Sequence, residues 1–352
     1  MKARRIWVDL IIREWLLVAS ASGLVITSIY LERLPSLSRS EGQMLFILLV
    51  LFVAVKGLEN SGALAGLSQG IERGQFVSLK LVITTFCLAM LVTNDVALIV
   101  VVPLTLYLNV DRKDVLVILE ALAANAGSAL TPFGNPQNLY IYWFYHIRPV
   151  EFITAIAPLP VTFLVLLLIA AFISGTKNDG GPPGKVEIEH SAYVYSLLLV
   201  LVILTVLRVL PVAIALVAVL YALIFDRRSL RVDFAILLSF FCFFCLANNL
   251  KIMLATDLEH FGSVFLLSAA SSQIMSNVPV TLLFSKFTSQ WQDLLWGANV
   301  GGFGSPIGSL ANLIALRLYV KHRSTKSPLS FTIKFLIIGY AAFFIGLGLH
   351  SV

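Results

Sequence analysis

Charge is the scarcest ingredient of this 352-residue sequence. Asp, Glu, Lys and Arg together make up 12% of it, about half the share in an average soluble domain. With 59% hydrophobic residues and a mean hydropathy of +0.92, that deficit excludes a soluble enzyme and a disordered chain. Cysteine is nearly absent, at three residues, too few for a disulfide framework. The 22 glycines and 13 prolines are ordinary numbers, so collagen-like and low-complexity classes fall away. The five histidines lie scattered outside the apolar runs, which leaves no histidine metal site. No HExxH, GxSxG or P-loop pattern occurs, so no enzyme chemistry and no direct ATP coupling is predicted. Residues 1–5 are basic, but Arg13 and Glu14 interrupt the first apolar stretch and no small-residue site follows. No cleaved signal peptide is therefore expected.

What the sequence has is apolar runs. About 20 such residues cross a bilayer core as a helix. The candidate spans are 14–31, 43–58, 152–174, 193–207, 211–225, 233–247 and 331–349. Residues 177–190 (KNDGGPPGKVEIEH) form the one clearly hydrophilic linker, near the middle of the chain. Two more apolar regions do not read as simple spans. Region 76–108 would make about 50 Å of helix, too long for one crossing and too short for two. At its centre stands Thr93-Asn94-Asp95, and region 261–287 carries Ser276-Asn277-Val278-Pro279 in the same place. Irregular polar backbone at membrane depth survives only where protein or water receives it. Each region is therefore predicted to be a re-entrant hairpin.

Charge counting supports the hairpins. The net charge is +6, and in a membrane protein a basic excess gathers in cytoplasmic loops, so no nucleic-acid partner is expected. With both regions as hairpins, 15 Lys and Arg fall on one side and 6 on the other. With both as crossings the tally is 11 against 10 and the bias vanishes. The expected orientation is a cytoplasmic N-terminus and an outside C-terminus in the plasma membrane.

An internal repeat orders the rest. Residues 124–140 read ANAGSALTPFGNPQNLY, and 298–314 read ANVGGFGSPIGSLANLI. At an offset of 174, seven of 17 columns are identical, where chance gives about one. Five crossings separate span 43–58 from its counterpart 233–247, and an odd number turns the second copy upside down. The reading is an all-α polytopic membrane protein with two inverted repeats, each holding a re-entrant hairpin and a broken helix. The first repeat is 1–175, with hairpin 76–108, broken helix 113–145 and span 152–174. The linker is 176–192. The second repeat is 193–352, with hairpin 261–287, broken helix 293–320 and span 331–349. Matched interruptions in inverted repeats point to a secondary transporter's binding site.

The breaks supply the chemistry. Pro132 and Pro136 remove backbone donors, and Gly134 admits conformations closed to other residues. Gly301, Gly302, Gly304, Pro306 and Gly308 do the same in the second copy. Unwinding frees carbonyls that suit Na⁺, and N–H groups and dipole ends that suit an anion. Thr93, Asn94, Asn125, Gly127, Thr131 and Pro132 from one repeat, with Ser276, Asn277, Asn299, Gly301, Ser305 and Pro306 from the other, are the candidate solute-binding residues. Asn94, Asn125, Asn277 and Asn299 are candidate Na⁺ ligands. Asp95 is the one ionisable residue at a tip, and carboxylates at membrane depth are costly and functional by default. It is assigned to proton or Na⁺ coupling, with capping of its own helix as the bland alternative. Glu120, flanked by Leu119 and Leu122, is a second coupling candidate. Cys242 and Cys245 form a CFFC pair that reads as apolar packing rather than a soft-metal site.

TNDVALIVVVPL, ANAGSALTPFGNPQNL, SNVPVTLL and ANVGGFGSPIGSLANLIAL resemble the paired signatures of the ion transporter superfamily. Within it the chain is similar to the anion-permease branch of arsenite permeases, sodium–proton antiporters and citrate-transporter-like proteins. The resemblance covers about residues 43–349. It implies a homodimer in the lipid bilayer, with a transport domain of both hairpins and both broken helices moving in an elevator cycle. Divalent-anion–sodium symporters of the superfamily carry Ser-Asn-Thr at both tips, and here the third Thr is replaced by Asp95 and Val278. Two spans precede the first hairpin and three the second, so the first repeat lacks a leading helix. The function expected is secondary active transport of a small anion coupled to Na⁺ or H⁺. The rivals are arsenite or antimonite efflux, Na⁺/H⁺ exchange, and a passive channel or partner-dependent subunit.

Overall fold

The computed structural model describes residues 14–68, 76–108, 110, 112–175, 187–254, 263–322 and 327–351. Every regular element among them is a helix. The first half runs α1 (Trp15–Tyr30), α2 (Arg39–Asn60), the short α3 (Ala63–Ser68), α4 (Val77–Leu91), α5 (Asn94–Tyr107), α6 (Lys113–Ala129) and α7 (Pro136–Phe144). It ends with α8 (Pro149–Ile156) and α9 (Pro158–Ser174), which meet at 47°. The second half runs α10 (Ser191–Val206), α11 (Leu216–Phe225), α12 (Phe234–Leu254), α13 (Val264–Met275), α14 (Asn277–Phe284), α15 (Trp291–Gly301), α16 (Leu310–Lys321) and α17 (Pro328–His350). Most of the hydrophilic linker, the N-terminal basic residues and the first two residues of region 261–287 lie outside the described residues.

Local sequence sets the helix ends. Ser38 and Glu41 form a reciprocal capping box at the start of α2. Asn135 caps α7 and Pro136 occupies its first turn. Among the described residues three helices are long and apolar enough to cross a membrane: Arg39–Asn60, Pro328–His350, and Arg227–Leu254 counted with its leading 3₁₀ turn. The bent pair α8–α9 makes a fourth. Here the structure departs from the seven spans expected. α1 and α10 have 16 residues each, about 24 Å of helix against a hydrocarbon core of about 30 Å. α1 ends at a turn after Tyr30, and α10 ends at a turn that puts Arg208 in the left-handed region, so each helix fills its apolar run, and the run itself is short of a full crossing.

Packing repeats between the halves. α4 lies along α6, and α13 lies along α15 in the same way. The following helices cross over: α5 packs on α16, and α14 packs on α7. α4 also touches α5, and α13 touches α14. Gly127 and Gly301 allow the close approach. A Cβ at Gly127 would stand 2.2 Å from the Phe86 carbonyl oxygen, and one at Gly301 would stand 2.5 Å from the Ser272 Cβ. Small residues at such crossings let backbones meet.

Around this nucleus α1 packs on α12, and α2 packs on α10 and α11. α10 and α11 expose Tyr193, Leu197, Leu220 and Leu223, an apolar face suited to lipid. Cys242 and Cys245 are buried with Leu24 in a small apolar cluster. Among the described residues no three His, Cys, Asp or Glu side chains come together.

Candidate functional site

Each break between paired helices is pinned to the unwound segment that follows it. The Asn94 N–H donates to the Gly134 carbonyl at 3.1 Å, and the Thr131 hydroxyl donates to the Met90 carbonyl at 3.0 Å. In the second half the Asn277 N–H donates to the Gly308 carbonyl at 3.0 Å, and the Ser305 hydroxyl donates to the Gln273 carbonyl at 3.2 Å. These are the same two bonds made by matched residues. The tips differ in their caps. The Thr93 hydroxyl accepts from the Val96 N–H, and the Asn94 side chain accepts from the Asp95 N–H. The cap is therefore Thr93, not Asp95. Ser276 stands at φ +71°, a left-handed backbone that costs a non-glycine residue about 1–3 kcal/mol.

The two unwound segments are tied to each other by buried amides. Asn125 donates to Asn312 at 2.7 Å, and Asn299 donates to Asn138 at 2.8 Å. Asn138 Nδ2 also donates to the carbonyls of Ser128 and Thr131 at 3.3 Å. Asn312 Nδ2 donates to those of Gly302 and Ser305 at 2.9 and 3.0 Å. Ser309 donates to the Asn125 Oδ1 at 3.0 Å, and Asn135 donates to the Asn299 Oδ1 at 3.4 Å. Proline and glycine open the helices, and asparagine side chains satisfy the carbonyls so freed. Asn94 joins the network by donating to the Asn125 Oδ1 at 3.2 Å.

A cavity of about 160 Å³ lies over this network. Its floor is Asn94, Asp95, Ser276, Asn277, Val278, Pro136, Gln137, Ser309 and Leu310. These are the first residues of α5, α14, α7 and α16, so four helix N-termini face one space. Trp15, Leu16 and Leu17 of α1 and Asp233, Ile236, Ser239, Phe240 and Phe243 of or beside α12 form another wall, and Glu14 and Arg317 complete the lining. Helix N-termini carry partial positive charge and unpaired N–H groups. Asp95 and Asp233 add negative charge, and Asp233 caps α12 by accepting from the N–H groups of Ala235 and Ile236.

Of the residues assigned from sequence, Asn94, Asp95, Ser276 and Asn277 line the cavity. Thr93 is buried behind the first tip. Asn125, Thr131, Asn299 and Ser305 belong to the hydrogen-bonded layer beneath. Gly127 and Gly301 stand at helix crossings, and Pro132 and Pro306 in the breaks. Glu120 is elsewhere: it is wholly buried in α6, and the Thr105 hydroxyl bonds its Oε1. Sequence reasoning missed Gln137, Ser309, Asp233 and Arg317 in the lining. It also passed over Asn138 and Asn312, although they are one of the seven identities in the repeat.

Comparison with known proteins fits this geometry. Residues 8–292 match the model of the citrate transporter family. That stretch holds both tips and the first broken helix. An uncharacterized transporter of Methanocaldococcus jannaschii is 36% identical over 79% of this chain and 81% of its own length. The inner membrane protein YbiR of Escherichia coli is 35% identical over 76% of this chain and 77% of its own. The silicon efflux transporter LSI3 of Oryza sativa subsp. japonica is 33% identical over 36% of this chain and 26% of its own. The chain therefore belongs to the citrate transporter family, a family of membrane transporters.

Proposed function

We propose that the protein is a secondary active transporter of a small anion, coupled to H⁺ or Na⁺. The observation that carries this reading is the convergence of four helix N-termini on one cavity. Positive dipole ends favour an anion, and the surrounding amides and hydroxyls can bind its oxygens. The two repeats are read as inverted in the membrane, and the pinned tips and crossed asparagines as one body. That body would slide past α1, α2 and α10–α12 in an elevator cycle, in a homodimer of the plasma membrane. In the orientation drawn from the charge count, the wall of α1 and α12 lies toward the cytoplasm, so the cavity opens inward. Sodium finds little room in the asparagine layer: the Asn125 Oδ1 already accepts from Asn94 and Ser309. This favours the proton as coupling ion.

The family name makes citrate the first solute to test, and the efflux relative makes silicate the second. Purified protein in liposomes should accumulate one of them, with saturation, under a pH or Na⁺ gradient. Arsenite belongs in the same panel as the rival substrate. Non-saturating flux that ignores both gradients would show a channel instead. Proton–sodium exchange with no solute would show an antiporter.

A further inference from the structure

We propose that Glu120 is a proton-binding site of the transport cycle, separate from the solute cavity. This rests on the transporter reading and names its coupling ion. Glu120 is 0% exposed at the middle of α6. One carboxyl oxygen meets the Thr105 hydroxyl of α5. The other, Oε2, is buried without a hydrogen-bond partner among the described residues.

Among the described residues no countercharge pairs with it. α6 itself carries Lys113 and Asp114, of which Lys113 donates to the Leu106 carbonyl at 2.7 Å and Asp114 pairs with Lys334 of α17. His350 of α17 pairs with Asp293 of α15 at 3.2 Å. Lys80 of α4, Asp95 of α5, and Arg317 and Lys321 of α16 are the other charged groups on helices packed against α6, and α9 carries none. Thr105 is the one side chain bonded to the Glu120 carboxyl among the described residues. An ionised carboxylate there would keep nearly its whole desolvation cost, whereas a neutral acid would not. Glu120 therefore holds a proton in this conformation. Loading forms one O–H bond from a water-borne proton, and release breaks it.

The internal repeat shows that the fold does not need this acid. The residue 174 positions on is Leu294, also 0% exposed, on α15. A leucine fills the matched slot, so packing alone does not call for a carboxyl. The position also suits coupling. Thr105 belongs to α5, whose first residues line the cavity, and Asn125 of α6 bonds Asn94 at that tip. A charge appearing at Glu120 would act on both helices that hold the first tip.

The test uses full-length protein in liposomes, with Glu120→Gln and Glu120→Leu. The second variant copies Leu294 and should fold, as read by size exclusion and thermal unfolding. Infrared spectra at neutral pH should show a protonated-carboxyl band in the wild type that both variants lose. Both variants should keep citrate–citrate exchange but lose citrate accumulation driven by a pH gradient, and the linked proton entry reported by trapped pyranine. Wild-type spectra, or wild-type gradient-driven accumulation, in either variant would overturn the proposal. The infrared measurement needs no solute, so failure of the wild type to move citrate would count against the substrate and not against the site.

Discussion

Asn125 donates a 2.7 Å hydrogen bond to Asn312 across 187 residues of chain, and Asn299 returns the same bond to Asn138 at 2.8 Å across 161. Exchanging the two repeats turns one bond into the other. The offset of 174 seen in the letters is thus also an offset in hydrogen bonding. Each pair does the same work: its acceptor asparagine satisfies carbonyls that proline and glycine freed in its own copy, and the bond across locks the two unwound segments together.

Removing either acceptor arm should therefore cost about the same. Asn312→Ala strips the donor from the Ser305 carbonyl and an acceptor from Asn125, while the Gly302 carbonyl keeps Asn125 as a donor. Asn138→Ala strips donors from the Ser128 and Thr131 carbonyls and an acceptor from Asn299. Each buried orphan costs about 1–3 kcal/mol. Thermal unfolding in detergent should show similar losses for the two variants. Asn125→Ala with Asn312→Ala should lose less than the sum of the singles. Strict additivity would mean that the two side chains do not depend on each other.

Much of this was legible in the letters, and the limits have physical causes. Polar residues inside apolar runs, Thr93-Asn94-Asp95 and Ser276-Asn277, gave away both tips. Asn, Gly and Pro at fixed spacing gave away both broken helices. The reading then placed Asn94, Asn125, Asn277 and Asn299 against the solute, because an unwound segment has no period from which side-chain direction can be read. Asn125 and Asn299 are instead spent on bonds to the other repeat. Asp233 and Arg317 come from elements whose sequences read as the flank of a span and as plain helix, so nothing local marked them as lining. Helices α1 and α10 run about as long as the apolar runs 14–31 and 193–207 that announced them, and those runs are themselves short for a bilayer.

Asp95 is the acid of the cavity floor, and its partner position in the second tip is Val278. Thr93 and Asn94 already satisfy the start of α5. Asp95→Asn should then leave the fold intact and cut gradient-driven uptake by about tenfold or more, a loss of about 1.4 kcal/mol or more in the barrier. Initial rates in liposomes, beside an unchanged unfolding temperature, provide the check. Wild-type coupling in this variant would remove Asp95 from the mechanism.

A buried ion pair joins the start of α2 to the end of α14. Lys286 Nζ lies 2.7 Å from Glu41 Oε1, and the side chains are 9% and 1% exposed. Glu41 Oε2 also receives the Ser38 N–H at 2.7 Å and Asn248 at 3.2 Å, while Lys286 sits over the Phe144 ring. Breaking one side of such a pair costs about 3–5 kcal/mol, because the other charge stays buried. Lys286→Met should destabilise by that order, and Glu41→Gln added to it should recover part of the loss. The pair is shielded from solvent, so the wild-type unfolding temperature should change little with salt. A double variant worse than Lys286→Met alone would contradict this account.

The turn after α11 gives a prediction in pH. Asp226 accepts from the Tyr195 hydroxyl at 2.9 Å, from the Arg228 N–H at 3.2 Å and from the Ser229 hydroxyl. Burial pushes its carboxyl up, but these hydrogen bonds outweigh it and hold the group below the ordinary aspartate range. Below about pH 4, where an unfolded aspartate takes up its proton, the unfolded chain binds more protons than the folded one. The stability from Asp226 is therefore full above that pH and drains away as pH falls through the folded value. Asp226→Asn should flatten this part of the curve of unfolding temperature against pH. Tyr195→Phe removes one donor to the charged form and should lower neutral-pH stability by about 1.5–3 kcal/mol, while leaving a shallower acid slope. Equal acid slopes in the wild type and Asp226→Asn would show that these bonds do not discriminate between the two protonation states.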